Sequence, residues 1–284
     1  MAERKIDPKF NIYETYTTMN VMNPYRFGGG SAGYEPETVA LMASIGWADD
    51  ATVSPHNGLT YKGVYDAVDT YFKAGKTAGY LALLKAVYLF IGNTADNHKW
   101  NAMNPQDTDA AFRMLWTGGL FSANGYKGSG VSYGNTNFAE NNNTLGSQSY
   151  GVYSRTEIAA NYIDMGASAK SVMYVRWGTN LFYTSCQSPI STNSNTTSLG
   201  MFGATRQDNF YYKKFANTTF TDVSADITGG STDNFWLGSR AYSPGYYSQR
   251  EYCYFFIGDG LTQAQMTDHI AAVQQLQTDL GRQV

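Results

Sequence analysis

Apolar positions along this chain follow two periods. Over residues 61–86 the period is helical: Val64, Tyr65, Val68, Tyr71 and Phe72 share one face, and Tyr80, Leu81, Leu83 and Leu84 follow beyond Gly75 and Gly79. From Val87 the period shortens. Short strands are predicted at 87–91, 98–103, 111–116, 120–122, 137–140, 149–155, 157–164, 171–177, 181–186, 199–205, 209–215, 219–222 and 235–238. Between them lie turn clusters rich in Asn, Gly, Ser and Thr, as at 141–144 and 191–197. Residues 35–60 read as short and mixed, with Pro36, Pro55 and Asn57-Gly58 as turn signals.

The last strand and the segment after it carry the most consistent local pattern. Residues 251–257 are apolar on both faces, Tyr252/Tyr254/Phe256 and Cys253/Phe255/Ile257, as in a strand covered on both sides. Gly258-Asp259-Gly260 breaks the strand, Thr262 and Gln265 form a capping box, and Leu261 and Met266 occupy the staple positions. Met266, Ile270, Val273, Leu276 and Leu280 make one stripe, and Gly281 sits where the helix should stop. A central strand with a helix laid back over it is the simplest arrangement. Many short strands at this spacing predict one mainly β, two-sheet sandwich over residues 35–284, with no internal repeat and no second globular domain.

Composition narrows the function classes. The chain is 43% apolar and only 15% charged, so its surface is polar mainly through Asn, Ser, Thr, Gln and Gly. A net charge of −3 with no basic run argues against phosphate-driven nucleic-acid binding. No apolar signal stretch opens the chain and no window approaches a membrane span, so folding in a reducing cytoplasm is expected, without membrane insertion. Cys186 and Cys253 lie in apolar strand-like runs; buried free thiols are expected, the alternative being an inter-strand disulfide. Residues 1–34 differ from the rest: polar, then aromatic at Tyr13, Tyr16, Tyr25 and Phe27, then Gly-rich at 28–33. They read as a docking arm with a hinge, against the alternative of a disordered tail.

Three stretches together resemble the concanavalin A-like (laminin-G-like) jelly-roll domains of tailed-bacteriophage structural proteins. The first is Lys85-Ala-Val-Tyr-Leu-Phe-Ile-Gly92, running through His98-Lys-Trp-Asn and residues 104–113 to Gly118-Gly119. The second is Tyr211-Tyr-Lys-Lys-Phe-Ala-Asn-Thr-Thr219 with Phe235-Trp-Leu-Gly238; the third is Phe256-Ile-Gly-Asp-Gly-Leu-Thr262 and the closing helix. The resemblance covers roughly residues 60–284. It implies a jelly-roll sandwich and a place on a virion, made in the bacterial host's cytoplasm. The arm would dock to other virion proteins, and homo-oligomerisation is expected, as for virion appendages generally. The expected role is a non-enzymatic surface appendage, such as a capsid decoration, head fibre or tail fibre, whose lectin-like domain binds host-surface glycans. The alternatives are a lattice-cementing or baseplate component without sugar binding, and a polysaccharide hydrolase or lyase.

Candidate chemistry is sparse. Jelly rolls of this kind include glucanases, which need paired carboxylates on alternate residues of one strand. No such stretch exists here; Glu157 and Asp164 fall on opposite faces of a predicted strand, and Glu140 stands apart. His56, His98 and His269 are scattered without metal-ligand spacing, so zinc is not expected, and no cofactor is expected apart from a role left open for calcium. The loop carboxylates Asp107, Asp109 and Asp259 are the candidates for calcium, against a turn or capping role for Asp107. For sugar binding, the tyrosines of two polar loops stand out: Tyr242, Tyr246 and Tyr247 in one, Tyr126 and Tyr133 (with Phe138) in the other. Packing at the sandwich edge or in a subunit interface is the competing role for these rings.

Overall fold

The alternating pattern resolves into two antiparallel sheets packed face to face, in a computed structural model that describes residues 33–241 and 245–284. The arm residues Tyr13, Tyr16, Tyr25 and Phe27, and Tyr242 of the later loop, lie outside the described residues. In chain order the elements are α1 (Pro36–Ile45), α2 (Tyr61–Thr77), β1 (Leu84–Tyr88), α3 (Ala95–His98), β2 (Leu115–Thr117), β3 (Leu120–Ser122), β4 (Gly125–Lys127) and β5 (Tyr133–Ala139). Then come β6 (Gln148–Ser154), β7 (Met165–Ser168), β8 (Ser171–Trp177), β9 (Leu181–Cys186), β10 (Ser191–Ser194) and β11 (Gly200–Arg206). The chain ends with β12 (Tyr211–Ala216), β13 (Thr219–Ser224), β14 (Asn234–Leu237), β15 (Glu251–Gly258) and α4 (Gln263–Asp279).

The larger sheet runs β13-β12-β11-β6-β15-β4-β3, with β1 also paired to β15; the smaller runs β10-β9-β8-β7-β14-β5-β2. One core fills the space between them, including Tyr88, Tyr150, Val152 and Phe202 from the larger sheet and Phe138, Met173, Phe182 and Phe235 from the smaller. A second core lies on the outer side of the larger sheet. There Leu41 and Met42 of α1, Val64, Tyr71 and Phe72 of α2, and Met266, Ile270, Val273 and Leu276 of α4 cover Val87, Tyr153, Met201 and Phe256. Among the described residues the larger sheet is covered on both faces, while the outer face of the smaller sheet has no helix upon it.

β15 is the central strand expected, but its faces are not those that strict alternation gives. Tyr252, Phe255 and Ile257 point into the sandwich, whereas Cys253, Tyr254 and Phe256 meet the helices. The register against β6 shifts between Tyr252 and Tyr254. This bulge puts two successive side chains on one face and reverses the phase of the rest of the strand. Cys186 and Cys253 are free and buried, in cores on opposite sides of the larger sheet, so they do not pair. Burial pushes the Cys253 thiol up to about 12.

The closing helix matches its signals. Thr262 accepts from the Gln265 amide at 3.1 Å while the Gln265 side chain accepts from the Thr262 amide at 3.0 Å. Gly281 takes a left-handed φ of +65° just past its end. Beyond it Arg282 is fully buried and donates to the Leu89, Phe90 and Cys253 carbonyls and to Gln277.

Other expectations shift. Residues 36–45 form a helix, because Pro36 stands at its first turn, where a missing amide costs nothing, and Thr38, Leu41, Met42 and Ile45 make a buried stripe. The helix predicted over 61–86 stops at Thr77, and Leu84 already belongs to a strand. Residues 98–103 are not a strand. The Asn101 side chain accepts from the Val87 amide (2.9 Å) and donates to the Lys85 and Ala111 carbonyls (3.1 Å each), replacing part of a ladder. Residues 157–164 are irregular, pinned by the buried Asp164. Among the described residues, no helix is long and apolar enough to cross a membrane.

Candidate functional site

The outer face of the smaller sheet, which carries no helix among the described residues, bears a band of aromatic rings. In β14, Phe235 and Leu237 enter the core, so Trp236 between them points outward. In β5 the alternation brings Tyr133 to the same face, and its ring stacks on Trp236 with centroids 3.9 Å apart and planes 7° from parallel. In β8, Met173 and Val175 enter the core and Tyr174 points out, directly opposite Tyr183 of β9 in the ladder. Trp177, at the end of β8, packs edgewise on both, at 5.2 Å and 5.9 Å. Tyr174, Trp177, Tyr183 and the exposed Ile190 line a groove of about 250 Å³.

Two consecutive loop residues join these clusters. Tyr247 lies 6.2 Å from the Tyr133 ring, and Tyr246 packs edgewise on Trp177 at 5.5 Å. The segment carrying them is fixed to the sheet: the Ile163 amide donates to the Tyr246 carbonyl (2.8 Å), and the Ser248 amide to the Gly238 carbonyl (2.8 Å). Tyr246 holds a φ of +50° and is 62% exposed. A bulky residue in the left-handed region is uncommon and persists where its surroundings impose it. From β9 to β5 the band crosses four strand spacings, about 19 Å at about 4.8 Å each.

The turn that presents Trp177 is braced by polar groups. Arg176 pairs with Glu157 and donates from Nε to Asn180 (2.9 Å), and Asn161 accepts from the Gly178 amide (3.1 Å). Under the band, Asp164 and Arg250 form an ion pair that is 0% exposed on both sides, at 2.7 Å. Arg250 also donates to the Ile158 and Arg176 carbonyls, at 2.8 Å and 2.7 Å.

Of the tyrosines singled out by sequence, Tyr133, Tyr246 and Tyr247 come together on this face. Tyr126 does not. It is fully buried in the sandwich core, its hydroxyl donating to Ser132 (3.0 Å) and its ring 4.4 Å from Trp116. Burial pushes that hydroxyl up to about 12. Residues 125–127 are a strand, not a loop, which is why the ring turns inward. Tyr174, Trp177, Tyr183 and Trp236 were not singled out, because their strands are apolar at successive positions and only the phase of the core residues tells outward from inward.

The carboxylates considered for chemistry all have other partners. Glu140 is fully buried, accepts from Ser168 (2.8 Å) and Ser171, and has its pKa raised by burial. Burial would raise Glu157 as well, but Thr197, the Ser198 amide and Arg176 hold it below the ordinary value. Asp107 pairs with Lys99 (2.9 Å) and Arg113 (2.8 Å), Asp109 with Arg113 (2.9 Å), and Asp259 with Lys85 (2.6 Å). The calcium candidates are therefore bound to cations of the chain itself, and Asp259 does not join the other two. Among the described residues, no group of three or more His, Cys, Asp or Glu is placed to hold a metal ion.

No family profile matches the sequence, and no curated protein matches it. Among solved structures, the chain is similar to domain 4 of AbnA, an extracellular arabinanase from Geobacillus stearothermophilus, seen with arabinotriose: 17% identity and a TM-score of 0.42 over 66% of this chain and 98% of that one. It is also similar to Trypanosoma rangeli sialidase with sialic acid, at 8% identity and a TM-score of 0.44, over 77% of this chain and 39% of the sialidase.

Proposed function

We propose that this domain is a non-catalytic carbohydrate-binding module that holds a polysaccharide along the outer face of its smaller sheet. The observation that carries the reading is the aromatic band itself. Sugar rings present apolar C–H faces, and a band of rings on paired strands offers a rigid platform for several of them in a row. A patch of this kind on a sheet face that carries no helix among the described residues supports an interaction surface. The non-catalytic part of the reading is supported by the carboxylates: Asp164 and Glu140 are buried, and Glu157 is ion-paired.

Substituting Trp177 or Trp236 by alanine should weaken polysaccharide binding by about 2 kcal/mol each, roughly thirtyfold, the range of an aromatic anchor, with little change in Tm. A glycan array followed by titration of the full chain reads this out. No retention of any polysaccharide, or equal retention by both variants, would discard the platform. A band buried instead between copies of the chain would show as concentration-dependent association that the same substitutions abolish.

We further propose, from the resemblance to bacteriophage domains, that the module sits on a virion appendage and that residues 1–34 dock it. Deleting them should block incorporation into particles and leave glycan binding unchanged. Normal incorporation of the shortened chain would refute the docking role.

A further inference from the structure

Arg240 is placed between the two halves of the aromatic band. It follows β14 and opens the segment that carries Tyr246 and Tyr247. Gly166 of β7 pairs with Val172 on one side and Trp236 on the other, all three on the outer face. A Cβ on Gly166 would stand 3.1 Å from that of Arg240. The missing side chain is what lets Arg240 rest against the sheet here. Its charge reaches Tyr174, where it opposes the rise that burial imposes on the hydroxyl.

Among the described residues this guanidinium has no acceptor. Its Nε is buried without a hydrogen-bond partner, and among the described residues Arg240 makes no ion pair. The other described arginines are all engaged. Arg113, Arg155, Arg176 and Arg250 meet carboxylates, while Arg206 and Arg282 meet carbonyls. A half-buried guanidinium with an unsatisfied donor is costly unless something supplies the acceptor. Neighbouring Arg176 is neutralised by Glu157, so the uncompensated charge beside Tyr174 belongs to Arg240.

We propose that Arg240 is the anion-recognition residue of this face and that the polysaccharide bound there is acidic. The inference rests on the carbohydrate reading above. An anionic group on one sugar would take the guanidinium's planar fork while that ring and its neighbours stack on Trp177 or Trp236. Carboxylate, sulfate and phosphate share this chemistry.

The test uses the full chain in affinity electrophoresis against polygalacturonate, alginate, hyaluronate and polysialate. Each uronate polymer is paired with its carboxyl-reduced form, and dextran sulfate and a teichoic acid are run beside them. At least one acidic polymer should be retained about tenfold more strongly than its neutral counterpart. Arg240→Met should erase that difference and keep the neutral binding; Arg240→Lys, which keeps the charge but not the fork, should keep part of it. Preference for the uronates, the sulfate or the phosphate polymer identifies the anion. Equal retention of acidic and neutral forms overturns the proposal while leaving the aromatic platform standing. So does a loss of both by Arg240→Met at unchanged Tm. Retention of no polymer, neutral or acidic, overturns both.

Discussion

Lowering the pH from 7 to 5 should cost this domain about 6 kcal/mol of unfolding free energy, about 2 kcal/mol from each of three histidines that fold in the neutral state. His56, His98 and His269 are 0%, 1% and 0% exposed. His56 accepts from the Gly92 amide through Nδ1 (3.2 Å), His98 meets the Gly92 carbonyl (3.1 Å), and His269 meets the Tyr254 hydroxyl (2.6 Å). The second ring nitrogen of each is buried without a partner, so a charged ring would bury an N–H with no acceptor, and in His56 the added proton would also face the Gly92 amide that Nδ1 now accepts from. Burial pushes His56 down to about 2, helped by the buried Arg282 and by His98, and pushes His98 and His269 down to about 3.

These depressed values fix the sign of the effect. Below about 6.5 the unfolded chain takes up a proton at each histidine and the folded chain does not, so stability is present above that pH and is lost as pH falls towards 3. Glu140 works in the opposite sense, since its raised pKa favours the folded state as pH falls, but it is one group against three. Domains of this kind are stable by about 5–15 kcal/mol, so cooperative acid unfolding is expected between about pH 5 and pH 4. Urea midpoints measured at pH 7 and pH 5 decide it: equal midpoints would exclude the effect, and a stable His269→Phe variant should lose about one third of the pH dependence.

How much of this was legible in the sequence depended on whether the deciding contacts were local. The closing helix was read with its cap, staple, stripe and stop because those signals lie within a turn or two of each other. The strands 120–122, 171–177 and 181–186 were placed to the residue. The strands at Met165–Ser168 and Ser191–Ser194 were not, being four residues long and, Met165 apart, built of small or polar side chains, so they exist through pairing with neighbours. The bulge in β15 is likewise set by its partner β6, and nothing in an unbroken apolar run marks it. The same holds for the candidate site. Tyr246 and Tyr247 were visible as loop tyrosines, but Trp177 and Trp236 became surface residues only once the core side of their strands was fixed. The aromatic band is assembled across strands far apart in sequence, and so is the berth of Arg240 over Gly166.

The second large effect concerns the ion pair that fastens that band to the sandwich. Replacing Arg250 by methionine should destabilise the domain by about 3–5 kcal/mol, because it leaves the Asp164 carboxylate buried without its counter-charge. Arg250 holds both oxygens of Asp164, at 2.7 Å and 2.9 Å. Asp164 in turn accepts from the Val175 amide of the smaller sheet (2.6 Å) and from the Tyr252 hydroxyl of the larger one (2.5 Å). One ion pair therefore joins the two sheets. The Arg250 Nη2 holds the carbonyls of Ile158 and Arg176, next to Trp177. Loss of the pair should loosen the platform as well as the fold, so the folded fraction of the variant should bind glycan more weakly than the native chain. Arg250→Lys keeps the charge but cannot reach four acceptors at once, and should recover only part of the stability. Adding Asp164→Asn to Arg250→Met removes the stranded charge, so the double variant should be more stable than Arg250→Met alone. A double-mutant cycle by urea unfolding measures the coupling. An Arg250→Met variant within about 0.5 kcal/mol of the native chain, the range of an ordinary surface change, would show that the pair is not the clamp between the sheets.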